Sequence, residues 1–441
     1  MSDLLSIGYT GLRAYSRALS TIGDNIANAQ TPGYARRRLD LGEVPAGSNM
    51  VLYRGSVTPG GVDVKGVVRS VDQWLIADAR ISSGDSERAA AKLDWMNRVE
   101  GALSDDTNGI KTALTKLYTT ADQLTADPSN PTLRAQFLQA ASDVAAGFKT
   151  AASRLSSLAE GTTGAATAEV SQFNANLNAL EQINVGLRKA RDGSTNKAAL
   201  LDERDRLLDQ LSSQGGVSTA FDAHGAVTLR ASGSGDLLVG GGVVTPIAMA
   251  TAADGRVSYT IGGTPFPNAT GSLAGFAEAS NHIADQRAEL DTMATQFAGQ
   301  LNAAHQAGID ANGNAGQPLF TGTSAATLTA TPLTAGQVAA ATPTSTNGNM
   351  LALGAMRGAN DPEAKWSGHL ATQAQTTASA RAQDAAAATR ADGAAAARDG
   401  VSEVNLDNEA AELLRFQQAY SAAARTIQVA RETMQTLLSS I

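Results

Sequence analysis

The 441-residue sequence contains no cysteine, and this absence excludes several kinds of chemistry at once. Without thiols the chain cannot form disulfides, cysteine-ligated zinc sites, iron–sulfur clusters or a cysteine nucleophile. A chain without cysteine can fold in an oxidising or a reducing compartment, so the absence does not locate the protein. Aromatic residues are also scarce, at 4% of the chain, which favours helices that pack through alanine and leucine.

Histidine is represented by four residues, and none has a metal-ligand or catalytic spacing. Since His224, His282, His305 and His369 form no HExxH or paired arrangement, we interpret each as a surface or half-buried residue of a helix or turn. A GxxxxGK[ST] phosphate loop is missing as well. We therefore predict no catalytic residue, no cofactor and no metal, and we interpret the protein as a non-enzyme.

One loop has part of the pattern of a calcium site, with Asp310, Asn312 and Asn314 at alternate positions. Ala315 and Thr321 occupy the places where a calcium loop needs glycine and a bidentate glutamate. An Asx-rich turn is therefore the better prediction for this loop.

Acidic residues outnumber basic ones by 42 to 34, and the net charge is −8. This balance argues against a sequence-independent nucleic-acid binder. The charged run at 202–206 is interpreted as a set of solvated helix pairs. No run approaches the roughly 20 apolar residues that a spanning helix needs, so we expect no membrane insertion. Because Asp3 lies in an N-terminal stretch without an apolar centre, we also expect no cleaved secretory signal.

The length of the chain and its changing periodicity predict about three domains in a mainly α fold with a small β insertion. Short strands are predicted within residues 34–70, and a small β domain within residues 215–270, which are rich in Val, Thr and Gly. A loop with a hairpin is expected at 311–348. Helical periodicity is found over 71–103, 133–155, 170–187, 200–211, 271–305 and 362–398.

Both ends of the chain carry apolar residues in heptad spacing, which is typical of coiled coils. The N-terminal helix is predicted over residues 3–28, and Asp407 or Asn408 is expected to cap the C-terminal helix, with Glu409 in its first turn. Such stripes can pair within one chain or between neighbouring copies in an assembly. The heptad positions are Leu5, Leu12, Leu19 and Ile26 with Tyr15 and Ile22, and then Leu406, Leu413, Tyr420, Ile427, Met434 and Ile441 with Phe416, Ala423, Ala430 and Leu437.

The segment that follows the N-terminal helix reads NIANAQTPGY over residues 25–34. Asn28 can close the helix, Pro32 and Gly33 force a turn, and Tyr34 is expected to start a strand. The ten residues together resemble the signature of the bacterial flagellar axial proteins, which are rod, hook and hook-associated proteins. The family-motif residues are Asn25, Asn28, Thr31, Pro32, Gly33 and Tyr34.

The C-terminal segment 404–427 reads VNLDNEAAELLRFQQAYSAAARTI. It resembles the hook-associated members of that family rather than the hook or rod members. Three interior segments agree with this resemblance in the expected order, namely 60–75, 200–217 and 305–320. The resemblance is weak in the β domain and in the Ala-rich helix.

The resemblance implies a nested architecture. A terminal-helix coiled-coil domain would combine residues 1–33 with 402–441. A helical-bundle domain would combine residues 34–214 with 271–401, and the small β domain would occupy 215–270.

The resemblance also implies a structural function. Copies of the chain would form a homo-oligomeric ring at the hook–filament junction of an extracellular flagellum, between the hook protein and a second junction protein below the filament. Type III export without a cleaved signal peptide is implied, and an export chaperone would hold the C-terminal helix.

We predict that the two terminal stripes pack together as an assembly seam. Two alternatives stay open: a hook or distal-rod structural protein of the same family, and a surface adhesin or glycan-binding protein that uses the β domain. The predicted seam consists of Leu5, Leu12, Tyr15, Leu19, Ile22 and Ile26 with Leu413, Phe416, Tyr420, Ile427, Met434 and Leu437.

Overall fold

The structure is a computed structural model that describes residues 2–44, 60–104, 109–267 and 270–439. Ile441, the last residue of the predicted C-terminal stripe, lies outside the described residues, and so do residues 45–59 of the segment in which strands were predicted.

Most of the described chain is helical. The helices are α1 (Ser2–Ala27), α2 (Gln73–Leu103), α3 (Ile110–Ala126), α4 (Pro131–Lys189), α5 (Thr195–Gln214), α6 (Gly271–Gln306), α7 (Gly348–Asn360), α8 (Pro362–Ser402) and α9 (Leu406–Ser439).

The strands are short and antiparallel, and the prediction of a mainly α fold with a small β region is confirmed. Strands β1 (Arg37–Val44) and β2 (Gly61–Arg69) form a hairpin that follows α1. The remaining strands form a four-stranded sheet, a three-stranded sheet and a short hairpin. They are β3 (Val217–Phe221), β4 (Val227–Ala231), β5 (Leu237–Gly240), β6 (Val243–Val244), β7 (Ile247–Thr251), β8 (Val257–Ile261), β9 (Thr264–Pro265), β10 (Phe320–Thr321) and β11 (Thr329–Ala330).

Four long helices, α2, α4, α6 and α8, form the helical bundle, in which α2 packs along both α8 and α6. Five of the buried residues of the Ala-rich helix α8 are spaced seven apart, and three of these five are alanines. Small side chains let two helices approach closely, and this explains why a helix with so little bulk packs along a neighbour. These five are Trp366, Gln373, Ala380, Ala387 and Ala394, and Glu363, His369 and Thr377 are buried as well.

Helix α4 is one continuous helix of 59 residues, although the sequence pattern predicted two helices. The pattern is interrupted around 156–169 by Gly and Thr residues, which have low helix propensity. Tertiary packing sustains the helix there. Thr162 is fully buried and donates its hydroxyl to the carbonyl of Leu158, and a Cβ on Gly161 would lie 3.1 Å from the Trp95 ring. Helices α3 and α7 had no prediction at all.

Two hydrophobic clusters stabilise the described chain. The first lies among α2, α3, α4 and α6 and includes Phe137, Phe148 and Phe297. The second joins Phe173 and Leu208 of the helices α4 and α5 to inward-facing side chains of the sheets, such as Leu229. The β region therefore shares its core with the helices against which it packs.

The loop after α6 is anchored by His305, which is fully buried, whereas we had predicted a surface or half-buried residue. Its Nε2 accepts a hydrogen bond from the amide of Ala339 at 2.9 Å, so its Nδ1 donates to the carbonyl of Gln317 at 2.5 Å. A second histidine, His369, is also buried. Asp310 accepts the amides of Asn312 and Asn314, which is the predicted Asx turn.

We expect acid to destabilise this loop through His305. Burial lowers the pKa of His305 below 6.5, because the charged ring would lose its hydration. The neutral ring therefore contributes stability above the unfolded pKa of about 6.5, and this contribution is lost as the pH falls toward the lower folded value. We expect the measured free energy of unfolding to fall between pH 7 and pH 5. The fall per pH unit should be steeper for the wild type than for His305→Gln, by up to about 1.4 kcal/mol. Equal slopes would contradict this assignment.

Candidate assembly interface at the terminal helices

Helices α1 and α9 pack against each other in antiparallel orientation. The ring centroids of Tyr15 and Phe416 are 6.1 Å apart, near the middle of the pair. Toward the start of α1, Gly8 lies against Ile427, and toward its end Asn25 bonds to Glu409. Residue numbers rise along α1 as they fall along α9. The two ends of the chain therefore form one antiparallel helix pair.

The buried stripe of α1 consists of small and polar residues, and it lies one position before the predicted apolar stripe. Its members recur at alternating intervals of three and four, as a coiled-coil seam requires. A Cβ added to Gly8 would lie 2.7 Å from Cγ1 of Ile427, which shows how closely the two helices approach. The members of this stripe are Gly11, Ala14, Ala18, Thr21 and Asn25, and Gly8 and Ile22 of the same helix are buried as well.

The predicted seam residues divide into three groups by exposure. Ile22 is buried, and it lies beside the small stripe. Half-buried positions flank the contact between the helices, and the remaining residues are exposed. The half-buried residues are Leu5, Leu12, Tyr15, Leu19, Leu413, Phe416 and Ile427, and the exposed ones are Ile26, Tyr420, Met434 and Leu437.

The helix pair presents large apolar side chains on its outer surface. Tyr9 is 63% exposed on α1, and Leu414 and Val429 are 59% and 60% exposed on α9. Near the end of α9, Met434 and Leu438 are 45% and 69% exposed. Clustered exposed apolar residues on a soluble chain mark surfaces that contact another molecule.

Asn25, the first residue of the family motif, is buried and uses its full hydrogen-bonding capacity. Its amide nitrogen donates to the carbonyl of Arg37 at 2.8 Å and to Oε2 of Glu409 at 3.0 Å. Its oxygen accepts from the amide of Arg37 at 3.0 Å and from the hydroxyl of Tyr34 at 2.8 Å. One side chain thus connects α1, β1 and α9.

The remaining motif residues shape the turn between α1 and β1. The amide of Asn28 bonds to Asp24 at the end of the helix, and Thr31 bonds back to the carbonyl of Asn28. After the exposed Pro32, Gly33 has φ +80°, a conformation that favours glycine.

We had predicted that Tyr34 begins the strand, and this was wrong, because β1 starts at Arg37. The hydroxyl of Tyr34 instead binds Asn25. Burial raises the pKa of Tyr34 to about 12, so the hydroxyl keeps the proton that it donates.

Glu409 is fully buried in the first turn of α9, whereas the pattern had indicated only a favourable charge there. Its Oε1 accepts from the Arg36 guanidinium at 2.6 Å, and its Oε2 accepts from Asn25. Asn405, rather than Asp407 or Asn408, accepts the amide hydrogen bond at this helix start. The C-terminal helix is therefore joined to the motif through a carboxylate.

A network of buried ion pairs lies where the helix pair meets the bundle, which corrects the interpretation of 202–206 as solvated. Asp205 is 8% exposed and Arg204 is 4% exposed. The carboxylate of Asp205 pairs with three guanidinium groups, and the network continues to the hairpin on one side and to α8 on the other. The pairs are Arg37–Asp202, Arg69–Asp202, Arg69–Asp205, Arg80–Asp205, Arg204–Asp205, Arg80–Asp209 and Arg398–Asp209.

Comparison with known families identifies the chain. The sequence model described as "Flagellar hook-associated protein FlgK helical domain" matches residues 96–320, just over half of the chain. The chain belongs to this family. The helix pair matches two further models, "Flagella basal body rod protein" over residues 5–34 and "Flagellar basal body rod FlgEFG protein C-terminal" over residues 400–440.

Curated relatives of this FlgK family member are named flagellar hook-associated protein 1. The protein of Escherichia coli is 27% identical over 73% of this chain and 60% of its own length. The protein of Salmonella typhimurium is 28% identical over 73% and 59%, and that of Bacillus subtilis is 24% identical over 98% and 96%. The chain thus spans about three fifths of the first two relatives.

A solved structure of the flagellar hook junction protein FlgK from Burkholderia pseudomallei is similar over 55% of this chain and 46% of that chain, with 23% identity and a TM-score of 0.49. Within the described part of this chain, no helix is long and apolar enough to cross a membrane. The described residues also contain no cluster of three or more His, Asp or Glu side chains arranged to hold a metal ion.

The apolar pattern missed the small stripe of α1 and the buried ion network in this FlgK family member. A signal for the stripe exists, because Gly11, Ala18 and Asn25 are seven residues apart, but small residues carry little weight in a search for hydrophobic periodicity. The ion network had no such signal. Its arginines and aspartates come from five distant segments, and no local spacing relates them.

Proposed function

We propose that this chain is a non-catalytic structural subunit of the bacterial flagellum that polymerises at the hook–filament junction through its terminal helices. Membership of the FlgK family supports the hook-associated role, and the two matches to rod-protein models support a shared assembly mode for the chain ends. The observation that carries the proposal is the apolar outer surface of the α1–α9 pair.

Within one chain the helix pair buries its small stripe and few large apolar side chains, Ile22 among them. Leu414, Val429 and Leu438 remain mostly exposed, and fully burying a side chain of this size contributes about 1.5–3 kcal/mol. Neighbouring copies that cover these residues would gain that energy at every contact. The predicted seam residues that are exposed here, such as Tyr420 and Met434, would then lie between copies.

The same proposal specifies location and partners. The subunits form a ring outside the cell, between the hook protein and a second junction protein below the filament, after type III export without a cleaved signal. An export chaperone covers the exposed C-terminal stripe until assembly. We also propose the division into a terminal-helix domain (1–33 with 402–441), a bundle domain (34–214 with 271–401) and a β domain (215–270).

Leu414→Asp is expected to leave the monomer folded and to abolish incorporation at hook tips. The side chain is 59% exposed, so the charge stays hydrated in the monomer, whereas an assembled interface would bury it without a partner. The measurement is immunogold labelling of hook–basal bodies isolated from cells that carry the tested chain as their only copy of this protein. Labelling of wild-type chain along the rod or hook, rather than at the tip, would contradict the junction role.

Two further variants sharpen this test. Val243→Asp, at a 52% exposed site in the β region, is the matched control and should incorporate normally. Leu413→Asp replaces a half-buried residue next to Leu414 and should also weaken the α1–α9 pair in the monomer, which circular dichroism would detect. Normal incorporation of Leu414→Asp would argue against the proposed use of the helix pair.

A further inference from the structure

The first turns of α2 carry an exposed face on which apolar and acidic side chains alternate. Trp74, Asp78, Ile81 and Asp85 are spaced by four, three and four residues, so they lie on one side of the helix. Trp74 is 86% exposed and Ile81 is 64% exposed. Helix α6 begins on another side of α2, where Thr270 lies against Gly84, and it leaves Trp74 and Ile81 exposed. We call this face the α2 ridge.

The second surface is a groove of about 580 Å³ between α1 and the β1–β2 hairpin. Tyr9, Arg13 and Arg17 line it from α1, and Val64 and Lys65 line it from β2. We call this site the α1–β2 groove. Valine side chains contribute apolar surface at its hairpin wall, but the lining is mostly polar, with cations along the rim. Its residues come from α1, from the hairpin and from residues 191–195 between α4 and α5.

Each of the two surfaces carries charged side chains that form no ion pair with another described residue. Among the described residues, Asp78 and Asp85 of the ridge form no ion pair, and neither do Arg13, Arg17 and Lys65 of the groove. The groove also contains carboxylates, but the cations outnumber the carboxylates that have no ion-pair partner. The cations are Arg13, Arg17, Lys65 and Arg191, and the carboxylates are Asp24, Asp63 and Asp192, of which Asp192 pairs with Lys197.

We propose that the α2 ridge of one copy docks in the α1–β2 groove of the next copy. Trp74 and Ile81 would occupy the groove, and Asp78 and Asp85 would meet the rim cations, whose charge is opposite. Asp78 and Asp85 are about 10.5 Å apart along the helix, which lets them reach separate cations. Exposed tryptophan is also the residue type most enriched at the energetic centres of interfaces.

This contact joins two different surfaces, so it is heterologous. Heterologous contacts propagate into rings or helical arrays, whereas contacts between identical surfaces stop at a dimer. The inference rests on the proposed function, in that it assigns a lateral contact to the assembly. It uses the α2 ridge and the α1–β2 groove and does not depend on the outer surface of α9.

The absence of cysteine in the natural chain makes cross-linking a direct test. Ala77→Cys places a thiol beside the ridge, and Ser20→Cys places one in the groove, without removing any residue that the proposal uses. Full-length chain with both changes, incorporated in isolated hook–basal bodies and treated with a short bifunctional thiol reagent, should give a ladder of dimers, trimers and higher species. Each single variant should stay monomeric.

Several outcomes would overturn the docking while leaving the junction role intact. These are normal incorporation without a ladder, cross-linking of Ala77→Cys alone, which would show a contact between identical surfaces, and cross-links only to a different protein. A ladder of equal yield from the control pair Ser20→Cys with Val243→Cys would also overturn it. Failure of the unmodified chain to reach the hook tip would instead overturn the proposed function.

Charge exchange supplies the second measurement. Asp78→Arg should reduce the cross-linked ladder at least about tenfold, the loss expected when an interface charge meets like charge. Adding Arg17→Asp should restore it. Melting temperatures of the monomers should remain unchanged, because both sites are exposed and form no ion pair within the described chain. A double variant no better than the single would contradict the assignment.

Discussion

Asp205→Ala is expected to lower the free energy of unfolding by about 3–5 kcal/mol, the range for breaking a buried ion pair. The carboxylate of Asp205 binds Arg204 at 2.7 Å, Arg69 at 2.8 Å and Arg80 at 3.2 Å. Removing it would leave three buried guanidinium groups without their shared counter-charge. Burial by itself would raise the pKa of this carboxyl, yet the three arginines hold it below its usual range, which shows that the charged form is strongly stabilised.

Chemical denaturation followed by circular dichroism measures this loss, and Glu203→Ala is the matched control. Glu203 lies two positions away in the same helix and pairs with Arg206 at the surface. Exposed pairs of this kind contribute at most about 1 kcal/mol, so the control should unfold nearly as the wild type does. Similar losses for the two variants would show that the network at the junction does not stabilise the fold.

Asn25→Ala is expected to detach the terminal helix pair from the hairpin at a cost of about 3 kcal/mol, because several buried polar groups lose a partner and each such loss costs roughly 1–3 kcal/mol. Glu409 would lose its amide donor, Tyr34 would lose its acceptor, and both backbone groups of Arg37 would be left unpaired. Amide hydrogen exchange should then show faster exchange throughout α1, while the amides of α4 keep their protection.

The control for this prediction comes from the same motif. Asn28 is half-buried, and its side chain bonds only to neighbours in sequence: it donates to the carbonyl of Asp24 and accepts from the hydroxyl of Thr31. Asn28→Ala should therefore change the exchange of α1 by less than about 1 kcal/mol. Equal effects of the two substitutions would mean that the connection through Asn25 does not hold the pair in place.

The long periodic segments were predictable because their signals are local. Helices α1, α2 and α6 lie within two residues of the predicted bounds, and the β region occurs where composition changes after Gly215. The two predicted helices within α4 are one helix, because Trp95 and a buried Thr162 support a stretch of low propensity. The continuity of α4 therefore depends on packing against side chains that are close in space but distant in sequence.

The seam shows the same division at the level of single residues. Heptad spacing predicted that both chain ends form pairing helices, and they do pack together. It selected Leu12, Tyr15 and Leu19 on α1, and Tyr15 does pack against Phe416 of α9. The buried positions beside them on α1, however, are Gly11, Ala14 and Ala18. Close approach of two backbones is favoured where side chains are small, so the larger residues are displaced to the flanks.

The sequence alone determined the helical character of the chain ends, the position of the β region and the resemblance to flagellar axial proteins, because each depends on spacing along the chain. Only the tertiary structure decided that Asn25 and Glu409 share a buried hydrogen bond, that Asp205 gathers three arginines, and that the α2 ridge remains uncovered. Burial and ion pairing depend on distances between segments far apart in sequence, and these distances exist only once the helices have packed.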